Sequence, residues 1–425
     1  MLEKRGSEAA PPGVWWWQDS RQDYSPLEGD VAADVVIVGA GITGITLAHT
    51  LAVGGASVIV LEAGRVAGSA SGRNAGFLLA APAEPYGEAV AMWGRAGARA
   101  MLEIGRRTHE RVHELVETLG IECEYRRTGS VRLARTEEEA EDQRASLPLM
   151  RADGFPVTEV PVATVMPGGP HERFDAAFVT DEDGEFHPVR FVHGLARVCE
   201  GRGVRLHAHS EVEAAHWGGS EWEARTARGV ARARTLVIAT NAYAPGLCPA
   251  LAPLIAPRRA QMLFTARLER EVVTRPTCAH WGYQYWRQTP QGRLLIGGWR
   301  DLDLDGEAGF GEGPTSTIQN GLESGLRELV PEGVEIEGRW AGIMGFARDG
   351  RPLVGWLDAE HHLAIAAGYT GHGIGMAAAC TQDLALLLAF RPAPGIATFD
   401  PARFPELRRP ESSLTSLGAS APRTP

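Results

Sequence analysis

An α/β chain of two interleaved parts, one on a mainly parallel sheet and one on an antiparallel sheet, is predicted by three features of the 425 residues. A β-branched run, Val35 to Val38, opens directly onto glycines at Gly39, Gly41 and Gly44 and then onto an apolar, helix-forming stretch. A second apolar run, Val58 to Leu61, ends on an acid, Glu62. Later segments alternate apolar and polar residues and are rich in aromatics, as strands covered on one face are.

Taken in order, residues 1 to 13 are polar and rich in Pro and Gly, and the tail from about Pro405 is rich in Ser, Pro and Arg; both ends are expected to be loosely ordered. Trp15 to Trp17 are expected to anchor the N-terminal arm on the body. Val35 to Val38 reads as a buried parallel strand. Gly39 permits the tight turn, Gly41 lets backbone approach a pyrophosphate, and Gly44 lets the next helix pack on the strand. That helix aims its N-terminal amides at the phosphates. Glu62, ending the second strand, sits where a carboxylate accepts hydrogen bonds from an adenosine ribose. Together these make a Rossmann-like dinucleotide fingerprint.

Met101, Ile104, Val112, Leu115 and Leu119 recur at helical spacing, which predicts an amphipathic helix over 95–119. Val131 to Ala134 reads as a strand, and the acids Glu137, Glu138 and Glu139 as a solvated helix face. Residues 190–200 predict a helix ending at Gly201 and Gly203, after which Val204 to His207 and Thr235 to Ala239 return to the first sheet. Pro257 to Ala266, Tyr283 to Gln288 and Leu294 to Gly298 suit a separate antiparallel sheet over a pocket. Residues 363–390 give a last strand, a glycine turn and a long apolar helix. The expected segments are 30–90, 185–250 and 335–400 for the dinucleotide-binding domain and 91–184 and 251–334 for the substrate domain.

Composition narrows the function classes. A hydrophobic fraction of 44% is that of a globular protein, and a net charge of −11 would repel phosphate backbones, so nucleic acid is not an expected partner. The five cysteines, Cys123, Cys199, Cys248, Cys278 and Cys380, show neither CxxC spacing nor a neighbouring His pair. This argues against a zinc site and a disulfide framework and suits a reducing cytoplasm. No apolar run approaches the roughly 18 residues of a membrane span.

Three segments favour a flavin over a nicotinamide. Ser69 to Gly76 is small and polar, so its backbone can follow a flat ring and pyrophosphate closely. Val237 to Ala242 is a strand ending in small residues, where a chain would pass under a bound adenosine. Gly368 to Gly375 makes a second glycine-rich helix N-terminus, whose dipole can stabilise negative charge on the pyrimidine side of a reduced isoalloxazine.

On these residues the chain resembles the D-amino acid oxidase superfamily of FAD-dependent amine oxidoreductases over about residues 30–395. Within it, Trp15-Trp16-Trp17, Ser71-Gly72-Arg73-Asn74, Thr240-Asn241-Ala242-Tyr243, Arg339-Trp340 and Gly371-His372-Gly373 are most similar to the gamma-glutamylputrescine oxidoreductase branch. The resemblance implies an α/β, two-domain α+β architecture: a Rossmann-like FAD-binding domain interleaved with an antiparallel-sheet substrate domain. It implies FAD along Gly39, Gly41, Ile42, Thr43, Gly44, Glu62, Ala63, Ser71, Gly72, Arg73, Asn74, Ala75, Val212, Thr240, Asn241, Gly342, Gly371, His372, Gly373 and Ile374. It also implies hydride transfer from an amine carbon to flavin N5, with oxygen or another acceptor taking the electrons.

Substrate-side candidates are His372, Tyr285, Arg259, Arg348 and Met344. Tyr283, Trp286 and Trp299 are further candidates for a pocket wall, and Arg287 and Arg300 for a carboxylate fork. His372 can tune proton balance or serve only as a turn residue capping the last helix. Two departures from the wider superfamily stand out: the covalent-flavin cysteine of sarcosine-oxidising members is Gly342 here, and their oxygen-activating lysine is Leu295. A third is Met344, where members acting on free α-amino acids carry an arginine that grips the α-carboxylate. A thioether cannot do so, so an alkylamine is the expected substrate and free α-amino acids are not. A nicotinamide dehydrogenase and a flavin-stabilised binding protein without turnover are the competing readings.

Overall fold

The computed structural model describes residues 13–18, 23–81, 84–408 and 414–418. β1 (Gly29–Val38) leads through the glycine turn into α1 (Ile42–Val53), and β2 (Val58–Leu61) follows. α2 (Tyr86–Leu119) breaks at Gly94, whose φ of 70° is non-helical, so the helix expected over 95–119 is its second part. Then come β3 (Ser130–Ala134), α3 (Pro188–Gly201), β4 (Arg205–His207) and β5 (Gly229–Ile238). The chain continues through β6 (Ile255–Arg267), β7 (Thr277–Ala279), β8 (Gln284–Gln288), β9 (Arg293–Gly298) and α4 (Ser316–Leu329). It closes with β10 (Ile336–Ala347), β11 (Leu363–Ala367) and α5 (Gly373–Leu388).

The parallel core of the first sheet has the order β4, β2, β1, β5, β11. Val36, Ile37, Ile59, Val60, Leu236 and Val237 are fully buried, as strands covered by helices on both faces require. α1 and α5 pack side by side, with the Thr381 hydroxyl donating to that of Thr46 at 3.1 Å. The carboxyl ends of β1, β2, β5 and β11 therefore open at one edge, where both glycine turns lie.

The second sheet runs β10, β6, β9, β8, β7, β3 and on to the strands Ala176–Thr180 and Thr158–Val160. Its two faces separate by alternation. Leu263, Trp286, Leu294 and Ile296 pack with Ile318 and Leu322 of α4. Met262, Phe264, Leu295 and Trp340 join the core shared with α1, α5 and Trp16 and Trp17. The two tryptophans are each 1% exposed, so they do anchor the N-terminal arm. β10, which falls beyond the expected segment boundary at 335, pairs with β6 in this second sheet.

Two expectations are corrected. Residues 1–12, 409–413 and 419–425 lie outside the described residues, but part of the tail is structured: Ser416–Gly418 pairs antiparallel with Ala214–Trp217. Leu407, Leu414 and Leu417 are buried there, and that apolar burial fixes the segment despite its polar composition. Glu139 is 5% exposed rather than solvated. Thr136 caps the helix Glu137–Ala152 by accepting from the Glu139 amide, while Glu139 Oε2 reaches back past the cap to accept from the Arg135 amide at 3.0 Å.

Candidate active site

The first glycine turn is sterically required. Gly39 has φ +108°, and a Cβ there would lie 2.7 Å from the Ala239 carbonyl oxygen. A Cβ on Gly44 would lie 1.8 Å from the Gly39 oxygen, which is why α1 can sit against the turn. On Gly41 it would meet Ser71 Oγ at 2.7 Å. That hydroxyl accepts from the Ile42 amide at 2.9 Å, occupying an α1 N-terminal donor of the kind that receives an anion. Glu62 is oriented by two amides: Oε2 accepts from Ala40 at 2.8 Å and Oε1 from Gly64 at 2.9 Å, across Ala63. The Ser210 amide donates to the Glu62 carbonyl at 2.7 Å, bringing the buried Val212 segment across the end of β2.

The Ser69–Gly76 loop is pinned, so it is no flexible surface segment. The Asn74 amide donates to the carbonyls of Ala70 and Ser71, and its Oδ1 accepts from Gly76 at 2.7 Å. Arg73 donates to the carbonyls of Gly68 and Ala341. Two indoles hold the loop from outside, Trp16 donating to the Asn74 carbonyl at 2.6 Å and Trp340 to that of Arg73 at 2.9 Å. A Cβ on Gly72 would lie 2.3 Å from the Ala67 carbonyl oxygen, Ala75 is buried, and a Cβ on Gly342 would lie 2.9 Å from Arg73 Cβ. Position 342 thus has no room for a side chain, least of all one bonded to a flavin.

The second turn meets the first at the sheet edge. Asn241, at φ +47°, accepts from the Gly368 amide at 3.0 Å, tying β5 to the turn before α5. Thr370 and Gly371 follow with φ of 51° and 87°, and α5 begins at Gly373 with Ile374 buried. His372 stands at the cap position without a side-chain cap bond. Burial holds its imidazole below its usual pKa; Glu84 opposes this and Arg132 adds to it. The residues fit FAD: a carboxylate stands at the end of β2, where it could accept from a ribose, two glycine turns open helices at one sheet edge, and the buried Thr240 hydroxyl has no protein partner among the described residues.

The substrate side is assembled by strand register. Arg132 of β3 lies opposite Cys278 of β7, Cys278 opposite Tyr285 of β8, and Tyr285 opposite Gly297 of β9, over which its ring packs. This row continues through Met262 to Trp340. Met344 lies on the same face, and its sulfur would be 3.6 Å from a Cβ on Gly371. Burial pushes the Tyr285 phenol up in pKa, and the nearby Arg300 charge partly offsets this. Burial likewise pushes the Cys278 thiol up to about 11.

Several candidates are placed elsewhere. Arg259 lies on the opposite face of β6 and is paired with buried Glu307 at 2.6 Å, with Gln261 completing the network. Arg348 pairs with Glu406 at 2.7 Å on the outer surface and stacks on Phe404. Arg287 is fully buried, in a 2.9 Å ion pair with Glu185 and donating to the Gly76 and Phe186 carbonyls. Each of these guanidiniums is paired with a carboxylate of the chain itself. Trp286 and Trp299 belong to the α4-side core. Glu84 and Arg132, which face His372, were not among the sequence candidates; the alternation of Ser130 to Ala134, with Val131 and Leu133 apolar, carries the signal for Arg132.

A family model described as DAO, FAD dependent oxidoreductase, matches residues 34–387. The gamma-glutamylputrescine oxidoreductase of Escherichia coli K12 is 27% identical over 400 residues, covering 88% of this chain and 87% of that protein. A glycine oxidase of Pseudomonas aeruginosa is 26% identical over 380 residues, covering 84% and 95%. The crystal structure of glycine oxidase from Geobacillus kaustophilus shares the fold with a TM-score of 0.76 at 24% identity, covering 87% of this chain and 98% of that one. The family match runs from the first glycine turn through the last helix, enclosing the whole cradle, and the chain belongs to the DAO family of FAD-dependent oxidoreductases.

Proposed function

We propose that this enzyme oxidises the C–N bond of a primary or secondary alkylamine, with FAD held non-covalently, as its likeness to gamma-glutamylputrescine oxidoreductase suggests. The observation that carries the reading is Met344, a thioether set against the Gly371 turn on the substrate face. An α-carboxylate brought there without a cation would be buried unpaired, at a cost of several kcal/mol. A methionine instead accommodates an alkyl chain.

Bound FAD supplies the two-electron sink that accepts a hydride from the amine carbon. The chain's residues position and exclude. The amides opening α1 and the Glu62 carboxylate would hold the dinucleotide, the pinned Ser69–Gly76 loop would lie along it, and the α5 N-terminus would stabilise negative charge on a reduced flavin. His372, kept below its ordinary pKa by burial, adds no positive charge that would repel a cationic substrate at neutral pH. The product imine hydrolyses to an aldehyde. Leu295, fully buried where sarcosine-oxidising relatives of the resemblance place a lysine, favours an electron acceptor other than oxygen. Five unpaired cysteines favour a reducing, cytoplasmic setting.

Anaerobic flavin bleaching across alkylamines, gamma-glutamylputrescine, sarcosine, glycine and D-alanine tests this. The best amine should exceed glycine and D-alanine by about 100-fold or more in kcat/KM, since each 1.4 kcal/mol is tenfold. Equal reduction by D-alanine would overturn the reading of Met344.

A further inference from the structure

With three of the four candidate arginines paired with carboxylates of the chain, Arg300 remains. Its guanidinium lies within cation–π reach of two rings, with its central carbon 5.3 Å from the Tyr283 centroid and 4.8 Å from that of Phe346. Such ring contacts engage the π face of a guanidinium, whereas its five N–H donors point from its edge. Among the described residues no carboxylate, carbonyl or hydroxyl accepts from that edge. The side chain is nevertheless held in place, and the backbone around it is strained to do so.

Gly298 has φ +109° and a Cβ there would lie 1.9 Å from the Tyr283 oxygen. Trp299 adopts φ +56°, and its ring is locked into the α4 core by Gly321 and Gly325, whose Cβ atoms would lie 2.9 and 2.3 Å from it. A non-glycine residue in this region costs of order 1 kcal/mol or more and persists where the surroundings over-determine it. The reversal sends Trp299 to one face of the sheet and Arg300 to the other. Phe346 lies two residues beyond Met344 on β10, about 7 Å along a strand.

We propose, resting on the amine reading above, that Arg300 is the specificity determinant for a remote carboxylate, so that the substrate is an amine whose carboxylate is separated from the reacting carbon by several methylenes. Met344 rejects a carboxylate at the near position and Arg300, steadied by Tyr283 and Phe346, receives one at the far position as a planar fork. Arg258, the cross-strand neighbour of Met344, is the competing cation on this face; no ring or acid fixes its guanidinium among the described residues.

The test compares 5-aminopentanoate with n-pentylamine in anaerobic stopped-flow reduction of the holoenzyme and of R300Q, R300K and R258Q. In the unaltered enzyme the carboxylated amine should be favoured by about tenfold or more, the range of one charge-assisted hydrogen-bonded pair. R300Q should bring the ratio of the two rate constants close to unity, R300K should restore part of it, and R258Q should retain it. A ratio unchanged in R300Q, or lost in R258Q instead, overturns the assignment. Reduction by n-pentylamine as fast as by 5-aminopentanoate in the unaltered enzyme overturns it while leaving the amine reading intact. Reduction by neither series defeats the amine reading and this one with it. Should R300Q lose FAD, a series from 4-aminobutanoate to 6-aminohexanoate in the unaltered enzyme decides. An optimum chain length absent from the matched alkylamines supports the proposal, and a shared monotonic trend overturns it.

Discussion

Gly41 and Gly44 stand three residues apart and are glycine for different reasons. At Gly44 the obstacle is the Gly39 carbonyl, a backbone atom that cannot move, so any side chain would push α1 off the sheet. At Gly41 the obstacle is the Ser71 hydroxyl, which can rotate. Gly41→Val should therefore fold but project its side chain into the pyrophosphate path, weakening FAD by about 100-fold or more, some 2.7 kcal/mol. Flavin absorbance per chain, with circular dichroism as the control for folding, measures this; full FAD occupancy would show that the dinucleotide passes elsewhere. These glycines and Glu62 were legible in the sequence because turn sterics depend on residues close along the chain. The partners of Arg259 and Arg348 were not: Glu307 and Glu406 lie 48 and 58 positions away, and no local pattern announces which acid will meet which guanidinium.

Among the elements, α3 carries a histidine as its N-cap. His187 Nδ1 accepts from the Arg190 amide at 3.2 Å, a role open only to the neutral ring, with the proton on the other nitrogen. Burial, joined by the charges of Arg190 and Arg287, depresses its pKa from 6.5 to about 3. Because the folded value is the lower, the unfolded chain takes up the proton first. The stability His187 contributes is complete above pH 6.5 and is lost as pH falls toward 3, by at most about 1.4 kcal/mol per pH unit. His187→Asn keeps an acceptor at the cap and removes the titration, so its denaturation midpoint should fall less steeply with acid than that of the unaltered chain. Parallel acid limbs would show that His187 is not buried neutral. Helix and strand cores were legible from periodicity, whereas the reversal at Trp299 was not, since an aromatic residue at positive φ is set by packing against α4 rather than by local preference.

For the whole molecule, FAD should leave intact when the protein is denatured by acid or heat. Gly342 offers no attachment point, and the thiol of Cys278, on the substrate face, is kept protonated by burial. A colourless precipitate under a yellow supernatant is the expected result; flavin retained by the precipitate would show a covalent link. Binding to the folded state alone should also raise the melting temperature as FAD is added, with about 2.7 kcal/mol of stabilisation when free FAD stands at 100 times Kd.

The Ser69–Gly76 loop is held at one side by Trp16 and at the other by Trp340, and the parallel core of the first sheet is completed by β11. During synthesis these supports leave the ribosome hundreds of residues apart. A nascent chain that has released the first glycine turn, even with Glu62 and the whole Ser69–Gly76 segment in solution, still lacks the second indole and the last parallel strand. Cofactor loading should thereby wait for these late segments, and a product cut short before residue 373 would emerge without α5 and the glycine turn's helix N-terminus.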